Sequence, residues 1–559
     1  MALTLDLADI QGNVLSAYGR LGFPIARCIL LHVNKGKAAQ ARNFLDELRL
    51  KVTTAELWDS SKTKSLPAGA VTASRPDVAV NVAFTFMGLL ALGVPVRTLR
   101  GLPDEFQEGM LKRAEILRDD PFGKERVSAK WDPIWINEVN DANAEVHILV
   151  TLNASNRSEK SASPEEVLDK AREALDKEFA WLQSRCGDDK ALRILGGHRG
   201  PNPLYQEMEA LVEPDPAGGE RFSRREHFGF TDGIGDPVFE GQYADPKVEA
   251  QRVVGQAKRT GDQTWVPLAT GEFLLGYPDE AQEIPGTAMP LDFSRNGTFM
   301  AYRKLHQNVK SFHEYIAATA KTYASVNSIS EEEANETIRA KMAGRWSDGV
   351  PLMVAPSFKE WQAFRQRMAK AEQTKNQAEQ EAIQRAFVDF TYSSDPDGSK
   401  CPFSSHLRRS NPRDMLDPDI PPNPSPEQAA KASSVLNNRR RLLRRGLPYG
   451  GTKPVDSNEA DQGVLLHLIC SNLFRQFEFI QQQWMEYGLD FNAGNDTCPI
   501  IGNHGPEAKF VIASSAASGK PPFICDRPPQ FVETRGGAYF FIPSMTALRL
   551  ITQGLTDPT

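Results

Sequence analysis

Three short segments gather the residues best able to do chemistry. The first is Gly229-Phe230-Thr231-Asp232-Gly233-Ile234-Gly235-Asp236-Pro237. Glycines around Asp232 make a tight turn that exposes a carboxylate, a group suited to accepting and returning a proton. A bland turn is the common reading of such a stretch; it lacks the alternating acids of a calcium loop and the GxGxxG order of a dinucleotide loop. The second is Cys401-Pro402-Phe403-Ser404-Ser405-His406-Leu407-Arg408-Arg409-Ser410-Asn411-Pro412-Arg413-Asp414. An imidazole followed by three arginines reads either as a surface anion site or as a metal or cofactor ligand whose anionic groups meet the arginines. Spacing leaves both open. The third is the basic run Arg439-Arg440-Arg441-Leu442-Leu443-Arg444-Arg445, which exits through Gly446-Leu447-Pro448-Tyr449-Gly450-Gly451. A basic run is usually a solvated face, but this exit suggests one arginine held on a shaped turn.

The remaining histidines offer less. His32, His147 and His467 lie inside apolar strand patterns and read as core residues, and His198 sits in a Gly196–Gly200 loop able to approach a ligand. His227, His306, His313 and His504 have no partner at metal-ligand spacing, and HExxH is absent. The six cysteines form no CxxC pair, so neither a disulfide framework nor a structural zinc site is expected, and scattered thiols suit a reducing compartment.

Composition narrows the field. A chain of 559 residues, 40% hydrophobic and 25% charged, can bury a large core without staples. Lys and Arg number 65 against 72 Asp and Glu, and the resulting charge of -7 argues against general nucleic-acid binding. Met1 to Gln11 holds Asp6 and Asp9 and no Lys or Arg, unlike a secretory or twin-arginine signal, so a cytoplasmic location is expected. The longest uncharged run, Val78 to Val96, has the length of a membrane span. Asn81, Thr85, Gly88, Gly93 and Pro95 interrupt it, and Val78, Val80, Val82, Phe84 and Phe86 alternate, so it reads as a buried strand entering a helix.

The elements that must position these residues alternate along the chain. Strands are expected around Ile25 to Val33, Val78 to Phe86 and Val146 to Leu152. Helices are expected at Lys35 to Val52, at Asp104 to Arg118 and after Ser163-Pro164-Glu165-Glu166. The second half repeats the pattern, with strands at Thr298 to Leu305, Val464 to Cys470 and Phe531 to Pro543, and helices at Val309 to Tyr323 and Leu473 to Tyr487. Two α+β halves follow, each an antiparallel sheet with flanking helices, divided as 1–255 and 256–559. Two insertions stand out: a long surface helix over 357–390 and a proline-rich loop over 416–433.

In this order, the three chemical segments resemble those of the dye-decolorizing (DyP-type) haem peroxidases. The GxxDG motif is Gly229 to Gly233, the proximal histidine segment is Cys401 to Arg413, and the distal arginine before Pro-Tyr-Gly is Arg444. Asp9-Ile10-Gln11-Gly12-Asn13, Asn296-Gly297-Thr298-Phe299, Arg475-Gln476-Phe477-Glu478-Phe479 and Arg535-Gly536-Gly537-Ala538-Tyr539-Phe540 agree as well, so the resemblance covers nearly the whole length. The long chain is similar to the larger subclass of the family.

The resemblance implies two ferredoxin-like domains, with one haem b between the sheet and helices of the second and the Asp232 loop reaching over it from the first. It implies hydrogen peroxide and a reducing aromatic substrate, a dye or phenolic, as reactants, with a ferryl and porphyrin-radical intermediate. It also leaves a homo-oligomer open. His406 would bind iron; Asp232 would shuttle the proton of peroxide; Arg444 would stabilise the charge that grows as the O–O bond breaks. Arg413 and Arg408 would pair with haem propionates, and Arg439 to Arg441 and Arg445 would lie at the surface or behind the site. Asn472 is the candidate acceptor for the second nitrogen of His406. An aspartate titrating near ~3.9 gives activity that persists in acid and declines toward neutral or alkaline pH. Bulky donors would deliver electrons through a surface Trp or Tyr that the sequence does not single out. The competing reading is a haem-binding or haem-handling protein with incidental peroxidase activity, which needs neither Asp232 nor Arg444.

Overall fold

The structure, a computed structural model, describes residues 3–58, 74–119, 130–136, 141, 144–155, 162–216, 218–421, 424–452, 457–514 and 519–554. The elements that position the site are, in the first half, β1 (Ile25–Val33), α1 (Ala38–Arg49), β2 (Val78–Phe84), β3 (Ile148–Ala154), α2 (Pro164–Gln183), β4 (Leu192–Ile194) and β5 (Gln206–Glu209). The second half contributes β6 (Thr298–Gln307), α3 (Val309–Asn327), α4 (Glu331–Ala343), α5 (Phe358–Gln373), α6 (Gln377–Ala386), α7 (His406–Ser410), β7 (Leu443–Tyr449), β8 (Gly463–Cys470), β9 (Val532–Ile542) and α8 (Met545–Gln553).

The strands form one antiparallel sheet in the order β7-β8-β6-β9-β2-β3-β1-β4, with β5 also paired to β1. Strands of the second half occupy one side and strands of the first half the other. The two sets meet at a narrow seam, where β9 pairs with β2 through Phe541 and Phe84. Gln11 stitches that seam: its amide donates to the carbonyls of Val82 (2.9 Å) and Pro543 (3.0 Å), and its oxygen accepts from Val82 N–H (3.0 Å). Gly12 follows because a Cβ there would lie 2.6 Å from the Thr54 carbonyl.

Local sequence explains most elements. β1 is buried along all nine residues, as a central strand covered on both faces must be. Its Arg27 is satisfied by Asp176 (2.6 Å) and Glu207 (2.8 Å). α2 starts with a reciprocal capping box between Ser163 and Glu166 and lays Val167, Leu168, Ala171, Leu175, Phe179 and Leu182 inward. His32 and His147 are core residues that stack on each other at 4.3 Å.

Three expected helices differ. The one at Asp104 stops at Glu108, because Gly109 takes a left-handed turn (φ 80°). The expected helix over 357–390 is a hairpin of α5 and α6: Lys375 turns left-handed (φ 49°) and Asn376 caps α6 by accepting from Glu379 N–H. Leu473 to Tyr487 is wound as two π-helical segments, Leu473–Glu478 and Ile480–Trp484. The proline-rich loop contains a short helix, Pro426–Ala430, and its residues 422–423 lie outside the described residues. Among the described residues no helix is long and apolar enough to cross a membrane.

Candidate active site

His406 opens α7. The helix nests closely against the end of α4, where Gly344 has φ 89° and a Cβ would approach Leu407 Cβ to 2.9 Å. The His406 Nδ1 lies 3.3 Å from Cys498 Sγ. Burial, reinforced by the Arg444 charge, pushes the imidazole pKa down to about 4, so the ring is neutral and its electron pair is free for a metal.

Asp232 is placed by the turn the sequence suggested. Gly229 (φ 85°) and Gly233 (φ 74°) take left-handed conformations, and Gly233 N–H donates to Asp232 Oδ1 at 2.6 Å. Beneath the turn, Glu226 accepts from the N–H groups of Phe228 and Phe230, each at 2.9 Å. Thr231 ties the loop to Ser347 O through both its N–H and its hydroxyl.

Arg444 sits on β7 between buried Leu443 and Arg445, opposite Leu468 of β8. Strand alternation sends Arg445 the other way, to Asp236 (3.0 Å) and to the carbonyls of Asn13 and Val14. Arg444 Nη2 reaches Asp232 Oδ1 at 3.1 Å. That guanidinium is the main influence holding Asp232 below the usual carboxylate range; Gly233 N–H and Arg20 assist, and burial opposes. Both side chains keep 44% of their surface free, and that surface borders two voids. One is a cavity of about 340 Å³ that they share with His406. The other, about 180 Å³, is also lined by Arg20, Arg224 and His467.

The larger cavity is walled by Phe230, Leu466, Leu468, Phe477, Ile480 and Met485. The π-helical segments supply Phe477 and Ile480, and Met485 caps the second, so the departure from an α-helix lies beside the site. Arg345, Arg413 and Arg441 also line it. Their hydrogen bonds run to backbone carbonyls, and among the described residues none of the three is ion-paired with a carboxylate. Burial, and then the neighbouring Arg413 charge, pushes Arg345 and Arg441 down to about 9. Apolar walls, a neutral imidazole and uncompensated guanidinium charge fit a planar apolar macrocycle that carries carboxylates. Among the described residues no group of three or more His, Cys, Asp or Glu could hold a metal, so an iron at His406 needs ligands of the kind a porphyrin brings.

Three expectations are corrected. Arg408 is not at the cavity: its guanidinium is buried against Asp395 (2.8 Å) and the Cys401 carbonyl (2.6 Å), and so is not free for a propionate. Asn472 does not meet His406; its side-chain oxygen caps the following helical segment by accepting from Arg475 N–H at 2.8 Å. Cys498 occupies that place instead. Arg441, expected at the surface or behind the site, is 9% exposed and lines the cavity. Arg345 and Cys498 escaped sequence reasoning because neither carries a local signal; each reaches the cavity or His406 only through tertiary packing.

Trp346 is also on the cavity wall. Its ring stacks on Trp361 with centroids 4.7 Å apart and planes 5° from parallel. Trp361 in turn lines an outer cavity of about 570 Å³ with Glu331, Asp348 and Arg365. The Trp361 indole N–H points at both oxygens of Asp348 (3.0 and 2.9 Å), whereas that of Trp346 donates to the Ala355 carbonyl.

No family model matches the chain. Among curated proteins, Peroxidase 2 of Mycetinis scorodonius is 26% identical, covering 98% of this chain and 87% of the relative. A dye-decolorizing peroxidase of Mycena epipterygia is 25% identical with the same coverage. Among solved structures, an ancestral D-type dye decolorizing peroxidase superposes with a TM-score of 0.66 at 23% identity, covering 98% of this chain and 99% of that one. A dye-decolorizing peroxidase in complex with 2,6-dimethoxyphenol gives 0.66 at 22% identity, covering 99% and 100%. The structural matches establish the fold. The relatives match nearly the whole chain, and by name they are the peroxidases that its ordered motifs resemble.

Proposed function

We propose that this chain is a haem b peroxidase that reduces hydrogen peroxide at the Asp232–Arg444 pair and oxidises aromatic one-electron donors. The observation that carries the reading is the 3.1 Å contact between Arg444 and Asp232 in the cavity they share with His406. His406 would hold the iron, and Arg345, Arg413 and Arg441 would meet the propionates. The chemistry that haem supplies when bound is acceptance of two oxidising equivalents from peroxide and their return one at a time.

The chain's own part is proton handling and charge. Asp232, a carboxylate at working pH, takes the proton from the near oxygen of peroxide and delivers it to the far oxygen, which leaves as water. Arg444 lies where negative charge grows on the departing oxygen and lowers its energy. Gly233 N–H holds the carboxylate in register through both transfers. Haem binding alone needs none of this, which favours the enzyme over a haem-handling protein. Donors too large for the cavity would be oxidised from outside, at Trp361, with Trp346 linking it to the site.

Rapid mixing of haem-loaded protein with one equivalent of peroxide tests the reading. Asp232→Asn and Arg444→Leu are each expected to slow the reaction by about 10²- to 10⁴-fold while haem stays bound. Native rates in both variants refute the assigned roles. A native haem spectrum that peroxide leaves unmoved returns the protein to haem handling.

A further inference from the structure

The second ring nitrogen of a metal-bound histidine normally meets a strong acceptor, which makes the ligand more electron-rich. Here His406 Nδ1 meets a sulfur: Cys498 Sγ at 3.3 Å is the one hydrogen-bonding contact of the ring among the described residues. Cys498 is fully buried and in no disulfide. Sulfur is a weak acceptor and a thiol a weak donor. The carboxyl groups nearby are engaged elsewhere. Glu486 accepts from Asn503 N–H (3.0 Å), and Asp496 pairs with Lys509 (3.4 Å). The charge that packs against this side is positive: the Arg409 guanidinium is buried and donates to the carbonyls of Trp484 (2.8 Å), Tyr487 (3.2 Å) and Asp496. On this side the environment thus orients the imidazole without placing a carboxylate on its second nitrogen.

We propose that Cys498 is a positioning residue that holds His406 as a neutral, weakly donating imidazole, so that iron bound there is reduced more readily than it would be with a carboxylate at position 498. The proposal rests on the reading of His406 as the haem ligand. It adds that this chain's site is tuned, through one sulfur, toward a higher potential and a weaker push from the proximal side.

Two readouts other than turnover test it: the ferric/ferrous midpoint potential, from spectroelectrochemical titration, and the iron–histidine stretching band of the ferrous protein. In the native holoprotein the band is expected where neutral imidazole places it; a band at the position of a carboxylate-bound, imidazolate-like ligand overturns the proposal without any variant. Cys498→Asp is expected to lower the potential and raise the band frequency, while Cys498→Ser stays close to native in both. If Cys498→Asp moves neither, the thiol contact is not setting the ligand's character and the proposal fails. His406→Ala separates this from failure of the parent reading. Loss of the band in that variant keeps His406 as the ligand, and its retention removes the ligand role and the proposal together.

Discussion

Asp232 owes most of its acidity to one neighbour. Burial pushes its pKa up, Arg444 pulls it down more strongly, and the net shift is downward. The proton-accepting carboxylate therefore persists to lower pH than in a free aspartate, where the reference value is ~3.9. Arg444→Leu removes the dominant pull and leaves burial in place, so the pKa rises. The acid limb of the peroxide reaction is expected to move to higher pH in that variant, beyond the fall in its plateau. The pH dependence of the second-order rate constant checks this, and a limb that moves to lower pH reverses the assignment. Asp232, Arg444 and His406 line one cavity, but spacing alone gave a turn whose common reading is bland and a histidine with two open readings; only the family resemblance singled out Arg444 from its basic run. Arg408 and Arg441 were exchanged in role, because a run of arginines carries no sign of which guanidinium a fold turns inward. Arg408 is committed to Asp395, whereas Arg441 is left facing the cavity.

Strands and capped helices were readable because their signals are local: alternation for β1 and β2, Ser163 and Glu166 for α2. What failed was local chemistry at helix ends and interiors. Gly109 stopped one helix, Asn376 divided another, and the π-helical segments were wound to suit the cavity they wall. The seam between β9 and β2 was invisible, since it depends on Gln11, which lies 71 residues from Val82 and 532 from Pro543. One strand pair and the Gln11 amide join the sheet there, beside buried ion pairs between the halves such as Arg303–Asp119 and Lys304–Asp132. Gln11→Ala leaves buried backbone groups of both halves without their partner and is expected to destabilise the protein by about 1–3 kcal/mol. Urea unfolding measures the loss. An unchanged midpoint and slope would show that the amide contributes nothing at the joint.

Taken whole, the molecule puts its proposed proton carrier, its candidate ligand and its proposed electron route on different parts of the chain: the 229–233 turn, α7, and the Trp346–Trp361 pair beside α5. The stacked indoles join the inner cavity to the outer one, and Asp348 favours positive charge on the outer ring over the inner. Trp361→Phe is therefore expected to slow oxidation of dyes too large for the inner cavity and to spare small phenols. Steady-state rates for a large and a small donor, measured side by side, decide it; equal losses would make Trp361 a packing residue only. The same stack bears on the protein's survival. A catalyst that meets peroxide with no donor present must discharge its oxidising power somewhere, and Met485 and Cys498 stand close to the place where that power is made. The stacked indoles, acting as the proposed electron route, would drain it away from those sulfurs, so the feature proposed to admit large dyes would also set how many idle encounters with peroxide the protein outlives.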